Sequence, residues 1–335
     1  MQLSKYTSRR TIGIAAAIIT VTIWTGFIII ARAMSHRTLT PFDIAFVRMI
    51  GAGLIMLPWG WWWVRNQAKA RVGADTKDTK PVRSWLGLSP YPWKLTATIG
   101  VPAALMYAIL VYSGFMFAPA AHGSVLLPGM LPLWTTLLAL IIIDTPISGK
   151  RWFGLGLIMT GGMLVGGSSL LHAFDGGDIW KGDLLFLAAS FSWSYYTVMT
   201  RKHGLAAIPA TIAICVFAVF TFVPMYVVLA FTDVIVSHLR EAPWSEILFQ
   251  ALVQGVGSVV ISGITFVRMV ETFGPIRSTM ITAVVPSLSA LGAVLFLGEP
   301  LYWNLLLGLA LATVGIVFGV RSVTPATLSV VPTTR

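Results

Sequence analysis

The chain has 335 residues, of which 56% are hydrophobic and only 10% charged, against about 25% charged in a soluble domain; its mean hydropathy is +0.83. That balance excludes water as the main solvent. A formal net charge of +11 does not imply nucleic acid, because the basic residues form no single face with interleaved aromatics; they lie between apolar runs, where membrane orientation places them.

A membrane-spanning helix needs about 20 mostly apolar residues, since every backbone N–H and C=O in hydrocarbon must be paired within the segment. The first run, 11–33, is too long for a signal-peptide core and is followed by no small-residue cleavage pattern, so it reads as a retained helix. A second run, 41–63, ends in Trp59, Trp61, Trp62 and Trp63, an aromatic belt at a membrane interface. The connection from Val64 to Lys94 is long, basic and poor in apolar residues, and reads as a flexible loop near anionic head groups. Further runs follow at 93–117, 119–142, 151–171, 181–200, 208–231, 247–270, 275–297 and 301–321. Almost nothing polar precedes Pro119 or Pro275, so the helices on either side of each must form a tight hairpin. The single cysteine, Cys215, lies inside an apolar run, which rules out an intrachain disulfide and reads as packing.

The predicted fold is therefore an all-α membrane protein with ten transmembrane helices. Placing both termini in the cytoplasm puts eighteen Lys and Arg on that side and four (Arg32, Arg37, Lys181, Arg240) on the other, with Arg48 inside a span. Cytoplasmic loops are enriched in Lys and Arg, so this alternation is the favoured one.

A shift of 154 residues aligns Ser124, Pro132, Pro146, Gly154 and Gly161 with Ser278, Pro286, Pro300, Gly308 and Gly315; a shift of 169 aligns Gly13, Trp24 and Arg32 with Gly182, Trp193 and Arg201. Two five-helix repeats, 1–171 and 172–335, follow from this. An odd number of spans per repeat makes the second copy enter from the opposite side, and inverted repeats place a binding site at their interface near the midplane.

These features resemble the drug/metabolite transporter superfamily in its ten-helix, EamA-type form. The resemblance rests on Trp24 with Gly26, on Pro41 through Phe46-Val47-Arg48, on Pro146, Gly154 and Gly161, on Trp193, and on Pro286, Gly298-Glu299-Pro300, Gly308 and Gly315. The chain departs from the pattern in Asp144-Thr145-Pro146, where an acid directly before Pro is usual, and in a longer loop after the second helix. The resemblance implies that the first, third, fourth, sixth and eighth helices surround the pathway while the fifth and tenth lie outside it.

Arg48, seven residues past Pro41 and roughly 10 Å deep, is the one basic residue well inside a span. Its two readings are attraction of a substrate carboxylate or phosphate and a structural anchor for helix-end carbonyls. Trp24, Tyr107, Trp134, Trp193, Tyr196, Gln254 and Ser258 are the further substrate-binding candidates, with Tyr112, Ser192 and Tyr195 beside them. Each of these aromatics also has packing as a reading, and the mid-span amide of Gln254 calls for a polar partner. Prolines at 58, 102, 128, 132, 224 and 286 interrupt the helical ladder, and the equivalent pair Pro132 and Pro286 is the predicted hinge. Gly162-x-x-x-Gly166 and Gly315-x-x-x-Gly319 permit close helix approach, within one chain or in a homodimer. Arg268 and Glu271 read as a helix-surface ion pair.

No Asp or Glu falls in the middle of a span, so exchange or uniport fits better than a proton relay, with Asp43, Glu271 or Glu299 as the coupling residues otherwise available. No His-Glu-x-x-His or paired buried carboxylates point to an enzyme, and His122, near the start of the fourth helix, is expected to lack a nearby acid. The expected protein is a multi-pass carrier of a small organic metabolite, an amino acid or related compound, in a cell membrane of the bacterial inner-membrane type, without cofactor, metal or nucleic-acid partner and in contact with membrane lipid. The alternative is a lipid flippase or a non-transporting scaffold.

Overall fold

The computed structural model describes residues 2–33, 37–72, 84–118, 120–166, 177–298 and 303–321. Among these residues the chain is helical, with no β-strand and one isolated bridge, Trp85 to Ser89. The helices in chain order are α1 (Gln2–Ala33), α2 (Pro41–Val72), α3 (Trp93–Phe117), α4 (Ala120–Ile143), α5 (Gly149–Gly166), α6 (Ile179–Lys202), α7 (Ala207–Phe231), α8 (Trp244–Phe273), α9 (Pro275–Leu297) and α10 (Trp303–Arg321). Seven segments, in α1, α2, α3, α4, α7, α8 and α9, are long and apolar enough to cross a membrane. An all-helical solution is what hydrocarbon demands, because a helix satisfies its own backbone groups.

The expected boundaries hold to within a few residues except at the start of α1, which begins at Gln2 rather than near residue 11, and at the end of α2; the expected end of the fifth run at 171 lies outside the described residues. α2 continues through Val72, so the first part of the predicted flexible loop is helical. Val64–Val72 is rich in Ala, Arg, Lys and Gln, all good helix formers, and the Arg65 guanidinium lies 3.9 Å from the centre of the Trp61 ring one turn back. Further along the same connection, Ser84–Pro92 forms a compact turn held to the start of α3, the Ser89 hydroxyl lying 2.7 Å from that of Thr96. The tight hairpin expected before Pro275 is a single glycine: Gly274, at φ 81°, joins α8 to α9 in a conformation that a side chain disfavours. Position 119 and the Glu299-Pro300 pair lie outside the described residues.

The helices pack in a pattern that repeats. α6 lies against α3 and α4, and α1 lies against α8 and α9; α3 packs on α7, and α8 packs on α2. Matching α1–α5 to α6–α10 in order turns each contact into its partner, and leaves α2 with α7 and α5 with α10 as self-matched pairs. Each repeat's first helix is thus packed on the other repeat. The third helix of each repeat also carries a π-helical stretch, Val101–Met106 in α3 and Ala251–Ile261 in α8.

The α5–α10 contact fixes the symmetry. A β-carbon at Gly154 would lie 2.6 Å from the carbonyl oxygen of Gly315, and one at Gly161 would lie 2.6 Å from that of Gly308. Under the 154-residue shift Gly154 corresponds to Gly308 and Gly161 to Gly315, so these are one contact made twice across a two-fold axis. The two helices run antiparallel there, as inverted repeats require. Gly315 is thereby used inside the chain, the packing alternative of its two readings.

Replacing Gly154 by Leu pushes a side chain into the α10 backbone, which cannot yield cheaply, and is expected to cost about 1–3 kcal/mol as overpacking. Gly156, with nothing within 4 Å of its would-be β-carbon, is the control: Gly154→Leu should lower the thermal midpoint in detergent while Gly156→Leu leaves it near wild type.

Candidate functional site

Two adjoining spaces open between the repeats. The larger encloses about 730 Å³, its mouth included, and is walled by Trp24 and Phe27 of α1, Arg48 of α2, Tyr107 and Phe115 of α3, Leu131 of α4, Trp193 of α6, Ser258 of α8 and Val285 of α9. The smaller, about 540 Å³, shares Arg48, Tyr107, Trp193 and Ser258 with it and adds Tyr112, Tyr196 and Cys215. Trp24 and Trp193 correspond under the 169-residue shift, and Leu131 and Val285 under the 154-residue shift, so the larger space straddles the two-fold axis. Both π-helical stretches feed it: Tyr107 follows the one in α3 and Ser258 lies within the one in α8. Such stretches frequently occur at functional sites.

Arg48 is the electrostatic centre. It is 8% exposed, its Nη1 donates to the Tyr112 hydroxyl at 3.4 Å, and its guanidinium lies 6.0 Å from the centre of the Phe27 ring. Its Nε has no hydrogen-bond partner, and no carboxylate among the described residues pairs with it. A buried cation without a counter-ion is costly, and here it faces a cavity.

The predicted site residues divide accordingly. Arg48, Trp24, Tyr107, Trp193 and Ser258 line the larger space, and Tyr196 lines the smaller. Trp134 lies in neither; its ring meets Phe191 edge-on at 5.5 Å and its indole N–H has no partner. Gln254 is buried where α8 presses on α2, and its Oε1 is without the polar partner its position calls for. Of the hinge pair, Pro286 follows a break at Ala283–Val284 that divides α9, whereas α4 stays helical through Pro128 and Pro132.

Serines on α6 hold the walls. Ser190 donates to Leu127 O at 2.8 Å, Ser194 to Leu131 O at 3.4 Å, and Ser192 to Pro102 O at 2.8 Å. Ser192, expected among cavity-lining residues, thus fastens α6 to the π-helical stretch of α3.

The cavity is closed toward the N-terminal end of α1. Trp24 stacks on Phe266 at 5.3 Å and meets Trp193 at 6.1 Å, its indole N–H donates to Ser262 Oγ at 3.1 Å, and the Thr20 and Thr265 hydroxyls are 2.8 Å apart. At the other end α2 is tied to the α7–α8 region. Asp43 accepts hydrogen bonds from Thr40 N at 3.0 Å, His238 N at 2.9 Å and the Tyr226 hydroxyl, and Glu246 accepts one from Leu39 N at 3.1 Å.

Three polar links were not legible in the sequence. His122 does have an acid beside it: Asp183 Oδ1 is 2.8 Å from its Nδ1, because α4 and α6 pack side by side although the residues are 61 positions apart. Asp43, a helix-end carboxylate by its place in the sequence, is fully buried in a network spanning both repeats. Glu271 pairs with Arg268 at 2.7 Å as expected, and its other oxygen also accepts the Ala207 N–H at 2.6 Å, capping the start of α7.

A helical bundle with seven apolar membrane-length segments and a partly aromatic cavity between its two repeats defines a multi-pass membrane protein. The family model described as EamA-like transporter family matches residues 11–167 and 180–321, and the chain belongs to that family of membrane transporters. It is 26% identical over 187 residues to a protein of Archaeoglobus fulgidus described as an uncharacterized transporter, a match covering 55% of each chain; the chain thus spans about half the length of this curated relative. A solved crystal structure superposes with a TM-score of 0.62 at 17% identity, covering 94% of this chain and 97% of that one, a likeness of fold.

Asp43→Asn replaces a carboxylate oxygen, which only accepts hydrogen bonds, with an amide NH2, which only donates them. It should destabilise the protein by about 1–3 kcal/mol, the cost of leaving buried donors unpaired, and Tyr226→Phe by less. Thermal unfolding of the purified variants measures both.

Proposed function

We propose that the chain is a carrier that moves a small organic metabolite bearing a carboxylate or phosphate across a cell membrane, of the bacterial inner-membrane type, by alternating access at the repeat interface. The observation that carries this reading is Arg48: a buried guanidinium with no carboxylate partner among the described residues, facing a cavity walled otherwise by aromatic and aliphatic side chains and two serines. The chamber favours an amphipathic ligand, its anionic group on Arg48 and its apolar part between Trp24, Phe27, Tyr107 and Trp193. Amino acids and related compounds fit that description.

In this reading the protein crosses the membrane ten times with both termini cytoplasmic, in two units, 1–171 and 172–335. α6 supports the count, since it is bonded along α4 from His122–Asp183 through Ser190–Leu127 to Ser194–Leu131 and so traverses the same thickness; α5 and α10 pair over the length set by Gly154 and Gly161. The Trp24–Phe266–Trp193 cluster and the Thr20–Thr265 bond are the contacts that part for access from the cytoplasm, and the Asp43 and Glu246 networks are those that part for access from outside. Pro286, at the break in α9, and Pro132 are the hinge.

Counterflow into liposomes containing the purified protein, with a panel of labelled amino acids and other small carboxylates, tests this. Wild type should show saturable, counterflow-stimulated uptake. Arg48→Ala should reduce it by roughly ten- to a hundredfold, the loss of one charged hydrogen bond of about 1.5–3 kcal/mol, and Arg48→Lys by less. Lipid scrambling in place of counterflow, or wild-type uptake in Arg48→Ala, would overturn the reading.

A further inference from the structure

The charge of the central cavity comes from one residue. Among the described residues that line its two spaces, Arg48 is the only ionic side chain at neutral pH, and the other polar groups are neutral hydroxyls, indole N–H groups and the Cys215 thiol. The carboxylates packed into the bundle lie outside both spaces and are engaged: Asp43 with Thr40, Tyr226 and His238, Asp183 with His122, Glu246 with Leu39 N, and Glu271 with Arg268 and Ala207 N. A ligand in the cavity therefore balances a single positive charge, and it finds no carboxylate for a positive charge of its own.

Two buried polar atoms of these lining residues lack a hydrogen-bond partner, Arg48 Nε and the indole N–H of Trp193. Both are donors. Trp24, the counterpart of Trp193 in the first repeat, gives its own N–H to Ser262 Oγ at 3.1 Å, whereas Trp193 is held among Trp24, Tyr107, Tyr196 and Phe266, whose ring centres lie 5.0–6.1 Å from its own. Buried donors without partners call for an acceptor. A carboxylate only accepts hydrogen bonds, and an ammonium only donates them. Aromatic faces can hold an ammonium, but Phe27 already lies by the Arg48 guanidinium and Trp24 is stacked on Phe266.

We infer that the ligand is an amphipathic monocarboxylate without an ammonium group, an inference that rests on the carrier reading and narrows it. A monocarboxylate on Arg48 brings the occupied cavity to neutrality. A zwitterion also satisfies Arg48 but leaves a buried ammonium with no counter-ion, and a phosphate monoester, which carries nearly two negative charges at neutral pH, leaves an excess anion. Either leftover charge is costly away from water. Amino acids thus match the chamber in size and amphipathy but not in charge, and the corresponding acids that lack the amino group match it in all three.

The test measures binding to the purified full chain in detergent by calorimetry at neutral pH, with protein-free micelles as the blank. The probes are two pairs that differ only in the amino group, 3-phenylpropanoate with phenylalanine and 4-methylpentanoate with leucine, together with 2-phenylethyl phosphate. In each pair the plain carboxylate should bind saturably and at least about tenfold more tightly than the amino acid, the cost of the unpaired ammonium. 3-Phenylpropanoate should exceed 2-phenylethyl phosphate by a similar factor. Arg48→Ala should lose the binding, and Arg48→Lys should keep the order of the probes. Arg48-dependent binding of the amino acids or of the phosphate as tight as that of the plain carboxylates would overturn the inference and leave the carrier reading standing. No saturable binding of any probe, or equal binding by Arg48→Ala, would overturn both. If Arg48→Ala does not fold, the wild-type order and Arg48→Lys still decide the inference.

Discussion

Hydrocarbon offers no hydrogen bond to a stray N–H or C=O, and the whole structure follows from that constraint. It makes every long segment a helix, and it governs where a helix can deviate. Buried hydroxyls turn back on their own carbonyls, as Thr197 does to Trp193 O and Thr211 to Ala207 O. Where α3 departs from the α-helical ladder, Ser192 reaches Pro102 O from the neighbouring helix. One side of each irregular stretch, Pro102–Ala104 in α3 and Gln254, Gly255 and Val260 in α8, is buried against protein, and their position beside the central space lets Tyr107 and Ser258 reach it.

The second organising fact is the exchange of first helices. α1 belongs in sequence to the first repeat and packs on the second, while α6 does the reverse. The cavity is therefore bounded by equivalent residues from both repeats, Trp24 with Trp193 and Leu131 with Val285, and a relative movement of the repeats must reshape it. Arg48 breaks the symmetry. The counterpart helix α7 carries no Asp, Glu, Lys or Arg between Ala207 and Phe231, so only one half supplies the charge.

Much of this was legible in the sequence, for physical reasons. Apolar runs of membrane length read directly as helices, and Gly154, Gly161, Gly308 and Gly315 could be paired because a fixed offset survives where backbones touch. Arg48 stood out because a charge in a span is expensive. Three misses share one cause. His122 and Asp183, Asp43 and Tyr226, and Glu271 and Ala207 are linked across 61, 183 and 64 positions, and no local pattern marks such pairs. Trp134 and Gln254 resembled cavity residues by type and depth, but which face of a helix meets the centre is set by packing. The extension of α2 past the belt of tryptophans was hidden because charge there was read as loop, when Ala, Lys and Arg are helix formers too.

The central claim is that one chamber, between inverted repeats, is reached from either side of the membrane in turn. Ser258 borders both spaces and the sole cysteine, Cys215, is buried, so a protein carrying Ser258→Cys and Cys215→Ala in oriented vesicles provides the direct measurement. A membrane-impermeant thiol reagent should label the introduced thiol when applied to either face, with an effective transported compound shifting the rates in opposite directions on the two sides. Labelling from one face alone under every condition would contradict the account.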